Sequence, residues 1–213
     1  DYWSYVPGGN NPDEGHREYS QLMSSSLALI SDHILETYPL GDYRTLIDVA
    51  GGTGHFARMV KKRYPDIDAT VLDLPEVVSE AKRQFPQSDI RFAATDMFRS
   101  PLPQDTELFS LVRVLHDHDD EPILNLLTRL HAALKPGGHL LIAEPMAGTS
   151  GAEPIGDTYF SFYLWAMGSG RPRTAEELKA MCLAAGFSGI REFKTPIPAL
   201  TRVLVAEKAS GTP

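Results

Sequence analysis

The stretch IDVAGGTGHF, residues 47–56, decides the fold of this chain. An apolar segment runs into three glycines, Gly51, Gly52 and Gly54, and a helix-like pattern follows them. This order predicts a buried strand, a tight turn and a helix, because glycine adopts positive φ and lets a backbone approach a ligand closely. Asp73 comes 19 residues after Gly54, at the end of the next predicted strand. A carboxylate at that place can accept the hydroxyls of a ribose, so the stretch predicts a nucleoside-binding site.

Strand-like and helix-like segments alternate along most of the chain. Strands are predicted at 45–50, 68–74, 89–95, 107–115 and 139–145, and the helix before the fifth strand is predicted to stop at residues 136–138. This alternation predicts βαβ units and an α/β fold with a mostly parallel, doubly wound sheet. Near the end, the β-like segments SGIREFK and LTRVLVAEK are joined by TPIPA, which is too short for a crossover helix. An antiparallel hairpin is therefore predicted to end the sheet.

Composition limits the domain organisation and the partners. The 213 residues carry a formal charge of −8 and are 42% hydrophobic, which suits one sizeable domain rather than two full ones. The acidic balance argues against a nucleic-acid partner. We expect residues 17–213 to form one cofactor-binding catalytic domain and residues 1–16 to be a connector from a preceding N-terminal part. No apolar run reaches the ~20 residues that span a bilayer, and we expect a cytoplasmic protein.

The glycine stretch leaves two cofactors open. Residues 52–57 satisfy the G-x-G-x-x-G/A fingerprint of NAD-binding proteins. Asp48, three residues before Gly51, would repel a pyrophosphate and would suit a cation such as the amino group of S-adenosylmethionine (SAM). After the third predicted strand, Asp96 and Met97 offer a carboxylate and an apolar side chain that can hold an adenine. The residues favour SAM over NAD.

The segment VLHDHDDE, residues 114–121, follows the fourth predicted strand. An imidazole with its ordinary pKa of about 6.5 is mostly neutral at pH 7, so His116 is a candidate general base; the alternative is a structural histidine. Glu144 ends the fifth predicted strand at the same edge, where the alternative is an ordinary exposed strand end. No metal site is predicted, because the consecutive side chains of this segment cannot all face one ion.

A dense aromatic stretch lies within residues 157–174. One helix cannot bury so many large side chains against its own core, so we expect some of them to line a substrate pocket or a subunit contact. The alternative is a thoroughly buried helix. The residues assigned to substrate binding are Tyr159, Phe160, Phe162, Tyr163 and Met167.

The motifs occur together in the order of a known family. IDVAGGTGHF, VLDLP, ATDMF, VLHDHDDE, LKPGG, IAEP and GSGRPRTAEELKAMCLAAGF resemble the SAM-dependent O-methyltransferases of plants and bacteria, which include the caffeate-type enzymes. WSYVPGG, EYSQLM and DTYFSFYLWAMGSGR resemble, more narrowly, the carotenoid O-methyltransferases of phototrophic bacteria. The resemblance implies a Rossmann-like methyltransferase fold, SAM as methyl donor, S-adenosylhomocysteine as product and no metal.

The resemblance also implies roles for individual residues. His116 falls on the catalytic base and Glu144 on a carboxylate that orients it. The substrate site includes Asp117. Plant members carry a second glutamate in a G-K-E-R-T segment, where this chain has Pro172, so a second glutamate at the base is in doubt. The positions that fall on the cofactor site are Asp48, Gly51, Gly52, Gly54, Asp73, Leu74, Asp96, Met97 and Arg113.

The acceptor and the partners follow from the same resemblance. It implies a small lipophilic acceptor, foremost the tertiary 1-hydroxyl of an acyclic carotenoid, with a phenolic or polyketide acceptor as the alternative. More remote alternatives are an NAD-dependent oxidoreductase and a protein that binds SAM without turnover. Family members carry an N-terminal helical dimerisation domain, so we expect a homodimer through that domain. A polyene acceptor would live in a membrane, and we therefore also expect peripheral membrane contact.

Overall fold

The computed structural model describes residues 27–152 and 169–211. Two sequence predictions lie outside the described residues, namely the connector at 1–16 and the side chains assigned to substrate binding, Tyr159, Phe160, Phe162, Tyr163 and Met167. No helix in the described ranges is long and apolar enough to cross a membrane.

Seven strands of the described chain form one sheet, in the spatial order β3-β2-β1-β4-β5-β7-β6. The strands β1 to β5 pair in parallel, whereas β7 pairs antiparallel with both β5 and β6. The predicted parallel sheet with a terminal antiparallel hairpin is therefore confirmed. The strand bounds are β1 Thr45–Val49, β2 Asp68–Asp73, β3 Arg91–Ala94, β4 Thr106–Val112, β5 Leu134–Glu144, β6 Ser188–Phe193 and β7 Arg202–Glu207.

Helices cover both faces of this sheet, as a parallel sheet requires. Leu46 of β1 packs in a buried cluster with Ile30 and Ile34, whereas Ile47, the next residue, packs in a second cluster with Leu127. Successive side chains of β1 thus point into two separate cores. The helix bounds are α1 27–37, α2 His55–Arg63, α3 Pro75–Gln84, α4 Asp120–Ala133 and α5 Ala175–Ala184, with a 3₁₀ turn at Leu115–Asp117.

One boundary differs from the prediction. The helix α4 ends at Ala133, before the predicted stop at Pro136, and β5 begins at once at Leu134 instead of at His139. The position before a proline disfavours helical backbone, so the chain leaves the helix ahead of Pro136. Leu134 then pairs with Thr106, and the pairing shifts register before it resumes at His139.

Candidate active site

The predicted site residues meet at one edge of the sheet, where the carboxyl ends of the parallel strands lie; we call it the carboxyl edge. The glycine turn follows β1, Asp73 ends β2, Asp96 follows β3, the turn with His116 follows β4, and Glu144 ends β5. Because β1 lies between β2 and β4, the chain winds away from β1 in two directions, and a crevice forms outside such a point. The strand order therefore gathers residues that are nearly 100 positions apart in sequence.

Asp73 ties the glycine turn to the second strand. The Gly52 N–H donates to Asp73 Oδ2 at 2.7 Å, and the Leu74 N–H donates to Asp73 Oδ1 at 2.8 Å. Burial raises the pKa of Asp73 above its ordinary value, and the two backbone hydrogen bonds offset part of that rise. Each oxygen accepts one hydrogen bond here, which leaves lone pairs free for the hydroxyls of a ribose.

The glycine turn needs its glycines for two different reasons. Gly54 has a φ of +81°, and a Cβ there would lie 2.7 Å from Ile90 Cδ1, so a side chain would meet both backbone strain and a clash. Gly52 has a φ of +60°, but a Cβ there would meet nothing within 4 Å among the described residues. The turn is thus packed against the protein at Gly54 and open at Gly52.

Asp48 lies beneath this turn. Its side chain is 1% exposed, Ser110 Oγ donates to its Oδ1 at 2.7 Å, and its Oδ2 has no hydrogen-bond partner in the part of the chain that the structure describes. Burial raises the pKa of Asp48 to about 7; the hydrogen bond from Ser110 lowers it and the charge of Asp73 raises it further. A buried carboxyl with an unused oxygen suits a cationic group. A Cβ on Gly51 would overlap the Asp48 carboxyl, which explains that glycine.

The residues predicted for adenine lie at the same edge. Asp96 Oδ1 accepts a hydrogen bond from the Phe98 N–H at 2.9 Å, and Met97 is partly buried against the larger core cluster. Arg113, also assigned to the cofactor, has a φ of +58° between β4 and the 3₁₀ turn, and its N–H donates to Ala143 O at 2.8 Å. Their contact with a cofactor stays a prediction.

His116 is buried on the 3₁₀ turn, where one carboxylate binds both its ring and the backbone N–H groups of the two residues before it. The His116 Nδ1–H donates to Glu144 Oε2, while Glu144 Oε1 accepts the N–H groups of Val114 and Leu115 at 2.8 Å and 2.7 Å. Glu144 is 2% exposed, so these bonds replace the water that the carboxylate has lost. The predicted pair of His116 and Glu144 is therefore in contact.

The charge around the imidazole raises its pKa. Burial lowers the pKa of His116, but the charge of Glu144 and the hydrogen bond to it, with the charge of Asp117, raise it above the ordinary value. Asp117 Oδ1 lies 3.4 Å from Nε2, the ring nitrogen that does not bond to Glu144. Within the described residues, Asp117 is thus a second acidic group beside the ring, whereas Pro172 carries no carboxylate. An imidazole held through Nδ1, with Nε2 as its other proton-accepting atom, is an arrangement that suits general-base catalysis.

Two residues of the site escaped the sequence analysis. Ser110 is a single hydroxyl within the apolar run of β4, and that interruption is a signal that could have revealed its bond to Asp48. Arg173 is 2% exposed and donates to Leu115 O and His118 O, which flank His116. No local pattern marks it, because its partners lie more than 50 residues earlier in the chain. Among residues 27–152 and 169–211, no group of three or more potential ligands could hold a metal ion.

Comparisons with known proteins agree with this geometry. The sequence profile of the O-methyltransferase domain matches residues 5–188. Demethylspheroidene O-methyltransferase of Rhodobacter capsulatus is 44% identical over 209 residues, which cover 97% of this chain and 53% of that protein. Acetylserotonin O-methyltransferase of Mus musculus is 36% identical over 177 residues, which cover 79% of this chain and 46% of that protein.

A solved structure shows the same fold. Human N-acetylserotonin methyltransferase in complex with SAM superposes with a TM-score of 0.82 at 29% identity, covering 90% of this chain and 55% of that one. The chain spans about half the length of the curated relatives it matches. From the profile match over most of its length, together with this fold, the chain belongs to the O-methyltransferase domain family.

Proposed function

We propose that residues 17–213 form the catalytic domain of a SAM-dependent O-methyltransferase in which His116 is the general base. The observation that carries the proposal is the buried pair of His116 and Glu144 at the carboxyl edge, which also holds the glycine turn and Asp73. A proton acceptor next to a nucleoside site is what methylation of a hydroxyl requires. An NAD-dependent oxidoreductase would explain the glycines but not the acidic Asp48 beneath them.

Several features of the chain fit SAM. Asp73 would accept the ribose hydroxyls, and Asp48, with its unused Oδ2, would compensate the amino group. The open space at Gly52 leaves room against the backbone of the turn. When bound, SAM supplies an electrophilic methyl group whose leaving group is a neutral thioether. The protein therefore needs to do little more than align the acceptor and remove its proton.

In this proposal, His116 and Glu144 together remove the proton of the acceptor hydroxyl. In its neutral form His116 carries its proton on Nδ1, held by Glu144, so Nε2 is the ring nitrogen that would take the proton of an acceptor hydroxyl as the oxygen forms its new bond. The resulting imidazolium lies between the carboxylates of Glu144 and Asp117, which stabilise its charge. The raised pKa of His116 is a measure of that stabilisation.

For the acceptor, we propose the tertiary 1-hydroxyl of an acyclic carotenoid. The support is the demethylspheroidene O-methyltransferase relative, which is more similar and covers more of this chain than the acetylserotonin O-methyltransferases. A phenolic or polyketide acceptor is the alternative. Pairing of two chains into a homodimer is part of the same proposal and rests on the family alone.

The test is transfer of labelled methyl from SAM to a detergent-dispersed 1-hydroxy carotenoid, beside a panel of phenols. Label in the carotenoid supports both parts, whereas label only in phenols refutes the carotenoid acceptor. Absence of label with every acceptor, with SAM still bound, contradicts the enzyme and favours a binding-only protein. Separate titrations with SAM and NAD decide the cofactor.

The role of His116 is tested by substitution. We expect His116→Ala to lower turnover by about 10²-fold or more, since the general base is lost, and to leave the affinity for SAM within about twofold. His131→Ala is the matched control, because His131 lies in the last turn of α4 and packs against Phe187. Turnover of the His116 variant close to that of the control would remove His116 from the role.

A further inference from the structure

We propose that Arg173 is a positioning residue for the base: it fixes the backbone of the 3₁₀ turn from the side opposite Glu144 and thereby sets the place of the His116 imidazole. The inference rests on the proposed function, in which His116 takes the proton. It concerns the segment 169–173, which we call the strap and which leads into α5.

The guanidinium of Arg173 uses all of its hydrogen-bonding capacity within the strap, the turn and the start of α4. Arginine has five N–H donors. Nη1 donates to Leu115 O at 2.8 Å and to Arg171 O at 3.3 Å, and Nη2 donates to His118 O at 2.7 Å. Nε and Nη2 both donate to Asp120 Oδ1, at 2.8 Å and 2.6 Å. A buried guanidinium without such partners would be strongly unfavourable, so the turn and Arg173 determine each other's positions.

The rest of the strap packs against the same turn. Gly170 has a φ of +82°, and a Cβ there would overlap the carbonyl of His116, so the strap backbone lies directly against the His116–Asp117 peptide. Ser169 Oγ donates to Asp117 O at 3.1 Å, and the Gly170 N–H donates to Asp119 Oδ1 at 3.1 Å. Both ends of the strap therefore contact the backbone or the side chains of the turn and the start of α4.

Glu144 and Arg173 bind the backbone N–H and the backbone C=O, respectively, of the same residue, Leu115. The N–H of Leu115 donates to Glu144 Oε1, and the C=O of Leu115, in the peptide that leads into His116, accepts from Arg173. The other oxygen of Glu144 binds the imidazole itself. If the backbone shifted while Glu144 stayed, the ring would have to turn about Nδ1, and Nε2 would move relative to the acceptor. A displacement of about 1 Å is enough to lower a rate about 10²-fold.

Lysine cannot replace this arrangement. An ammonium group has three donors on a flexible stem, whereas the contacts of Arg173 need five donors in a planar fork. Arg171 provides a matched control two residues away. It pairs with the same aspartate, through Asp120 Oδ2 at 3.1 Å, and with Glu177, but its side chain is largely exposed and touches no carbonyl of the turn in the described structure.

The experiment compares Arg173→Lys with Arg171→Lys in the full chain. For each variant we would measure kcat, KM for the acceptor, the Kd for SAM, and the proton NMR signal of the His116 Nδ1–H in SAM-free protein, assigned by its loss in His116→Ala. We expect Arg173→Lys to lower kcat about 10-fold to 100-fold, to leave the Kd for SAM within about twofold, and to shift or broaden the Nδ1–H signal. Arg171→Lys is expected to behave as the unsubstituted protein.

A second variant keeps the inference testable if Arg173→Lys does not fold. Asp120→Ala removes the carboxylate that orients Arg173 from outside, and Asp120 is exposed, so folding is expected to survive. It should give a smaller loss of kcat and a smaller NMR shift in the same direction. Unchanged kcat and an unchanged Nδ1–H signal in the folded variants would overturn the inference. If the unsubstituted chain methylates nothing, the proposed function fails, and the NMR signal still decides whether Arg173 positions His116.

Discussion

Replacing Asp48 by asparagine should stabilise the folded chain and weaken cofactor binding. Asp48 is buried, and only the Ser110 hydroxyl compensates its charge in the described structure. Burial raises its pKa from 3.8 to about 7. One unit of pKa corresponds to about 1.4 kcal/mol, so the ionised carboxylate costs the folded state about 4 kcal/mol at pH 8. Asparagine keeps the shape and the bond from Ser110 but carries no charge.

The sign of the pH dependence follows from the same shift. Between pH 4 and pH 7 the folded chain holds a proton on Asp48 that the unfolded chain has released, so stability falls as the pH rises through this window. The asparagine variant lacks this contribution. The difference in unfolding free energy, variant minus unsubstituted protein, should therefore increase by about 2 to 3 kcal/mol between pH 5 and pH 8. At every pH this free-energy difference is smaller by about 1 to 3 kcal/mol than the charge alone would give, because the new amide N–H₂ of the asparagine lacks a partner.

Urea unfolding at pH 5, 6, 7 and 8 measures this difference, and titrating groups that do not interact with Asp48 cancel in the subtraction. The matched control is Asp42→Asn, which removes an aspartate from an exposed turn before β1, where no burial penalty is relieved. Calorimetry should show weaker SAM binding for Asp48→Asn, and proton release on binding near pH 6 in the unsubstituted protein only. A difference that does not change with pH would refute the assignment of a buried, poorly compensated charge to Asp48.

Two further predictions concern the base and the glycine turn. In the unsubstituted protein, turnover should rise with pH through a midpoint above 6.5, because His116 acts in its neutral form and its pKa is raised. Glu144→Gln should lower that midpoint, and it should lower the maximal kcat by about 10²-fold or more. A pH–rate profile of each protein measures both effects. A Cβ at Gly54 meets Ile90, whereas one at Gly52 meets nothing within 4 Å in the described structure. Gly54→Ala should therefore lose mainly stability, measured by urea unfolding, and Gly52→Ala mainly affinity for SAM, measured by calorimetry. Equal effects of the two substitutions would contradict a ligand in the open space at Gly52.

The fold could be predicted because its signals are local. The glycine turn after β1, the alternation of elements and the short TPIPA link each constrain the backbone within a few residues, and the sheet order confirms them. The start of β5 could not be placed, because Leu134 joins the sheet through its pairing with Thr106. That contact bridges 28 positions, and neither residue belongs to a strand pattern that predicts it.

In the candidate site, too, the residues with a local sequence signal could be predicted and those without one could not. The sequence locates His116, Glu144 and Asp73 because each lies at or just after the carboxyl end of a strand, and parallel strands bring these ends together. The contact between His116 and Glu144 follows from the adjacency of β4 and β5. Arg173 follows no strand, and it reaches the turn only because the strap crosses the carboxyl edge. Its neighbour Pro172 departs from the plant G-K-E-R-T pattern, but the residue that binds the backbone of the turn is Arg173.

The three buried charges of the site differ in how completely they are compensated, and that difference indicates which of them binds a ligand. Glu144 accepts three hydrogen bonds from residues 114–116 and Arg173 donates all five of its N–H groups, so both are committed to the turn and the residues around it. Asp48 accepts one, and its second oxygen is unused in the described structure. An uncompensated buried carboxylate is costly, so Asp48 either holds a proton or needs a cationic group beside it. In the proposed function, Glu144 and Arg173 therefore fix the geometry of the base, and Asp48 is the carboxyl left to bind the cofactor.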